Sequence, residues 1–136
     1  MKVLVATDGS EQSMKAVQRG LELAEQGAEV TLMSVAYYAA EQMDSTFYDF
    51  QEKLEKEAKA ALEQAKAVFD AKGTKVETVL EVGLVPANNI IRRATEDKFD
   101  RIVLGSTGKT KLAMALLGST AAKVVSSAPC EVIIVR

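Results

Sequence analysis

Two short segments of this chain are rich in glycine and hydroxyl side chains. The first is Thr7-Asp8-Gly9-Ser10; the second runs from Gly105 to Ser119 and carries Ser106, Thr107, Gly108, Lys109 and Thr110 before it reaches Gly118, Ser119 and Thr120. Glycines let a backbone approach a ligand without a Cβ in the way, and the first amides of a helix attract an anion. If Ser119 and Thr120 open a helix, Gly105, Gly108 and Gly118 with those hydroxyls have the chemistry of a phosphate cradle. Asp8 has two readings, a cap for the helix or turn after it and a carboxylate beside a ligand. Lys109 and Lys111 either add charge at a phosphate end or are simply solvated.

For these segments to meet, the chain must bring them to one end of a sheet. Residues 3–7 form a short apolar run that stops at the Asp8-Gly9-Ser10 turn, as expected of a strand buried on both faces. A helix follows over residues 11–26, with Val17, Leu21 and Ala24 at helical spacing, Ser10 as cap and Gly27 as terminator. Residues 29–35 read as a second strand and 36–49 as a loop with some helical turns. The stripe of Leu54, Ala58, Ala61, Leu62, Ala65, Val68 and Phe69 marks a long second helix. A partly exposed edge strand is expected over 75–81, a turn at 83–86, a third helix carrying Ile90, Ile91 and Ala94, and a fourth strand over 101–104. The last helix spans about 118–127, Pro129 breaks it, and 131–135 is the final strand.

Strict alternation of five strands with four helical segments predicts an open α/β sheet, all parallel, with helices on both faces, because each parallel connection needs a crossover. Right-handed crossovers leave few topologies. The order 3-2-1-4-5 would place a switch point between strands one and four, where ligands bind outside the carboxyl ends. With 136 residues, 48% of them hydrophobic, and no repeat or linker, residues 1–136 are expected to be one domain.

Composition narrows the chemistry. A net charge of -2 supplies no cationic field for nucleic acid. The absence of histidine and the single cysteine, Cys130, remove the usual zinc and iron-sulfur ligands, so a metal would be a hard ion carried by phosphates. The short apolar run at the N-terminus suits neither a signal-peptide core nor a membrane span, and a cytoplasmic protein is expected. Gly108-Lys109-Thr110 has the ending of a Walker A loop, but the required earlier glycine is Val103 here. No G-x-G-x-x-G follows strand one. A receiver domain would need an aspartate after strand three, where Glu81-Val82-Gly83 stands.

The spacing Gly105-x2-Gly108-x9-Gly118-Ser119 resembles the G-2x-G-9x-G-[S/T] signature of ATP-binding universal stress proteins. The likeness begins at VATDGSEQSMKAV, passes through Gly83-x-x-Pro86 and ends with SSAPCEVIIVR. It implies the adenine nucleotide alpha hydrolase-like fold with order 3-2-1-4-5, and ATP with Mg2+ or Mn2+ as ligand. It also implies that Gly105, Gly108, Gly118 and Ser119 hold ribose and phosphates, that Asp8 lies near the triphosphate and its divalent ion, and that Val35 lies beside the adenine. Thr107 departs from the family, where an arginine or histidine is common. Family members commonly pair through the last strand, so a homodimer through Val132, Ile133, Ile134 and Val135 is expected.

Three functions follow as expectations. One is a binding module in which ATP occupancy orders the glycine loop and residues 36–49 and so changes which partner is bound, with the aromatics Tyr37, Tyr38, Phe47 and Tyr48 forming either a lid or a partner surface. Another is a slow ATPase or phosphotransferase, for which the motifs hold no base beyond Asp8. The third is a nucleotide-free dimerising stress protein, against which the intact glycine spacing speaks.

Overall fold

The computed structural model describes residues 1–37, 45–107 and 117–136. Along them run β1 (Lys2–Ala6), α1 (Glu11–Glu25), β2 (Glu29–Tyr37), α2 (Ser45–Asp70), β3 (Glu77–Gly83), α3 (Pro86–Glu96), β4 (Arg101–Gly105), α4 (Ser119–Ser127) and β5 (Glu131–Val135). The strands form one parallel sheet in the order β3-β2-β1-β4-β5. The expected architecture and order are those observed.

Successive side chains of a strand point to opposite faces, and the core is accordingly double. Val3 and Val5 pack with Val17, Leu21, Leu32 and Phe69 under α1 and α2. Leu4 packs with Met33, Ile90, Ala94, Ile102, Leu104 and Val124 under α3 and α4. The central strands are apolar on both sides because helices cover both faces. Among the described residues, no helix is long and apolar enough to cross a membrane.

Three elements differ from expectation by two residues or more. β2 runs through Tyr37 instead of ending at Val35, because β3 pairs with it as far as Gly83. α2 begins at Ser45, so residues 45–49, expected in the loop, are its first turns. β3 starts and ends two residues later than the apolar pattern suggested, and its burial is inverted. Glu81 is buried, whereas Leu80 and Val82 are 42% and 41% exposed. Residues 38–44, and with them Tyr38, lie outside the described residues, as do the side chains of Phe47 and Tyr48.

Candidate nucleotide crevice

β1 ends between β2 and β4, and its chain turns away at Asp8. Gly9 adopts a left-handed φ of 83°, which glycine accepts without strain. The turn satisfies itself. Ser10 N–H donates to Asp8 Oδ1 at 2.9 Å, Gly9 N–H donates to Thr7 Oγ1 at 3.2 Å, and Ser13 N–H donates to the cap oxygen of Ser10 at 3.2 Å. Beneath it, the hydroxyls of Thr7 and Ser13 lie 2.9 Å apart. Ser13 Oγ donates to Ser10 C=O at 3.0 Å, so the proton between the two hydroxyls comes from Thr7.

The far side of the crevice is hooked together by one residue. Ser106 N–H donates to Val135 C=O at 3.0 Å, and Ser106 C=O accepts Gly118 N–H at 2.7 Å. Gly118 then serves as the N-cap of α4 with no side chain to offer. The first helical bond there runs from Ala122 N–H to Gly118 C=O. The N–H groups of Ser119, Thr120 and Ala121 come before it, at the positive end of the helix.

Between these two structures lies a cavity of about 320 Å³, a size that suits a small ligand. Met33, Val35, Pro86, Ile90 and Leu104 form its apolar side; Thr7, Asp8, Ser13, Ser106, Thr107, Ser119 and Thr120 its polar side. Among the described residues, Asp8 is the one charged side chain on the lining. β2 overhangs the crevice. Thr7 N–H donates to Met33 C=O at 2.9 Å, and Val35 comes two residues later on the same side of the strand, beyond the end of β1. Its peptide groups therefore point into the gap that β1 leaves.

The sequence-derived residues Thr7, Asp8, Val35, Gly105, Ser106, Gly118, Ser119 and Thr120 all line this one cavity. Gly108 and Lys109 lie outside the described residues. Pro86, read from sequence as a restraint on the helix start, is both: it occupies the first turn of α3 and lines the cavity. Ser13 and Ile90 also line it: the sequence pattern marks Ile90 only as core face of α3, and gives Ser13, the third residue of α1, no role. Gly105 serves a nearer purpose than ligand approach, since a Cβ there would stand 2.9 Å from Gln12 C=O. Cys130 opens β5, at the opposite end of the sheet. Burial, then the charges of Asp100 and Glu131, push its thiol upward, which favours the protonated form.

The universal stress protein family model matches residues 1–136. The chain belongs to this family. Among relatives, universal stress protein YxiE of Bacillus subtilis (strain 168) is 36% identical over 146 residues, covering 99% of this chain and 98% of that protein. Among solved structures, universal stress protein UspA from Lactobacillus plantarum superposes with a TM-score of 0.87 at 27% identity, over 100% of this chain and 97% of that one. A universal stress protein solved in complex with cAMP gives a TM-score of 0.75 at 30% identity, over 100% and 97% of the two chains.

Proposed function

We propose that this universal stress protein binds an adenine nucleotide in the crevice, with ATP as the physiological form and occupancy read by a partner. The observation that carries this is the pairing of an apolar slot with a helix start that has no cap of its own, within one cavity. The base takes the slot formed by Met33, Val35, Pro86 and Ile90. Val35 offers an adjacent peptide N–H and C=O, the complement of the N1 acceptor and N6 donor of adenine. The phosphates take the amides of Ser119, Thr120 and Ala121. That a relative was solved with cAMP supports the adenine part of this reading.

Among the described residues no group of three acidic, histidine or cysteine side chains could hold a metal by itself. Mg2+ or Mn2+ fits only as an ion that phosphates carry in, with Asp8 as its protein partner. Part of that carboxylate already holds the turn through Ser10 N–H. Without histidine, and with Asp8 the one charged lining group described, turnover is slow at best.

In the same reading the protein works as a cytoplasmic homodimer joined through β5. Val132, Ile133, Ile134 and Val135 are only half-buried at the open sheet edge, which a second β5 would cover. Light scattering on a sizing column should give twice the chain mass; a monomer at all concentrations removes this part.

Calorimetric titration of nucleotide-stripped protein with ATP and Mg2+, beside a Gly118→Val variant, tests the central proposal. Binding by the wild type and none by the variant is the expected result. No binding by the wild type would instead favour the nucleotide-free dimerising protein.

A further inference from the structure

One wall of the crevice belongs to α3, through Pro86 and Ile90. That helix starts at Val85, an N-cap that makes no side-chain bond, with Pro86 fixing the backbone of its first turn. Its neighbour β3 offers it little apolar grip, because Leu80 and Val82 point to the other face of the sheet, beside Ser34 and Ala36. By alternation the side chains of β3 on the α3 face of the sheet are those of Glu77, Val79 and Glu81.

Glu81 is the exception on this edge strand, a carboxylate with its side chain 8% exposed. Burying an ion is costly unless every oxygen is engaged, and here each is. Asn89 Nδ2 donates to Oε1 at 2.9 Å, Arg92 Nη2 binds the same oxygen, and Arg93 Nε donates to Oε2 at 2.7 Å. Asp97 holds the same Arg93 guanidinium from its other side at 3.1 Å. The hydrogen bond to Glu81, then that to Asp97, raises the pKa of Arg93, so it remains a cation at every usable pH. The strand is cut to receive this cluster. A Cβ on Gly83 would displace the Asn89 side-chain amide that binds Glu81.

The three donors lie on α3 around the wall residue Ile90, and Glu81 is in register with Val35, which lines the cavity from β2. We infer that Glu81 is a positioning residue for the ligand crevice: clamped by Asn89, Arg92 and Arg93, it sets the distance between the α3 wall and Val35. The inference rests on the nucleotide reading above and extends it to a residue that touches no ligand.

The test is AMP affinity, by calorimetry, for wild type, Glu81→Gln, Pro86→Ala and the double variant, with folding of each followed by circular dichroism. Arg93→Lys keeps the charge but loses the planar fork, and replaces Glu81→Gln if that variant does not fold. Glu81→Gln should weaken AMP binding about tenfold, and the double variant should bind within about twofold of Pro86→Ala alone, because both changes act through one wall. A Glu81→Gln or Arg93→Lys protein that binds AMP as the wild type does overturns the inference and leaves the nucleotide reading intact. So do losses that simply multiply in the double variant, since Glu81 then acts independently of the wall. A wild type that does not bind AMP removes the nucleotide reading, and this inference with it.

Discussion

Of the helices that begin at the rim of the crevice, α1 and α4 treat their first amides in opposite ways. α1 is closed by its own residues: Ser10 takes the Ser13 N–H, Asp8 takes the Ser10 N–H, and Thr7 takes the Gly9 N–H. α4 starts at a glycine, and nothing on that glycine can reach forward. Both begin with extended backbone, ψ of 161° at Ser10 and 162° at Gly118, so geometry does not force the difference. It lies in the side chain alone. In the proposed function one helix start serves stability and the other is left for the ligand.

If so, giving α4 a cap should cost binding and not folding. Gly118→Asp, whose backbone angles suit an aspartate, supplies both a cap and a negative charge where phosphate is proposed to sit. Nucleotide affinity should fall by about a hundredfold or more, roughly 2.7 kcal/mol, while the melting temperature holds or rises. Calorimetry and thermal melts on one preparation check both halves. An unchanged affinity would mean that the helix start is idle.

Next in size is Gly105→Ala. Its new methyl would press on Gln12 C=O, from the first turn of α1, and should cost about 1–3 kcal/mol of stability in urea unfolding. Ser10→Ala then removes the α1 cap and should cost about 1 kcal/mol. Folding should suffer more than ligand affinity, the reverse of Gly118→Asp. The smallest effect lies at a helix end remote from the crevice. Lys98, just past α3, has a left-handed φ of 55°, and Lys98→Gly should stabilise the protein by a few tenths to about 1 kcal/mol in the same assay. A loss there would show that the lysine side chain outweighs backbone relief.

How far the sequence discloses this molecule depends on the range of the interaction concerned. Apolar runs, the Ser10 cap, Gly27 and Pro129 act within a few residues, and the elements they delimit are the ones observed. β2 continues past Val35 because of pairing with β3 more than forty residues away, and no local pattern encodes that. Glu81 misleads for a related reason. In a strand that alternates, a carboxylate between Leu80 and Val82 looks like the solvent side, yet its partners arrive on the next helix at Asn89, Arg92 and Arg93. Gly105 and Gly118 of the glycine spacing line the cavity, but Gly105 is small to admit α1, a contact that the spacing does not encode.

Ser106 has one further consequence. Its peptide lies in a continuous line from the last residue of β5, through its N–H to Val135, to the start of α4, through its C=O to Gly118. The proposed dimer edge and the proposed phosphate seat are thus two bonds apart. Should occupancy tighten the dimer by some factor, dimerisation must tighten nucleotide binding by that same factor, since the two equilibria form a closed thermodynamic cycle. Diluting the protein would then be a way to release its ligand.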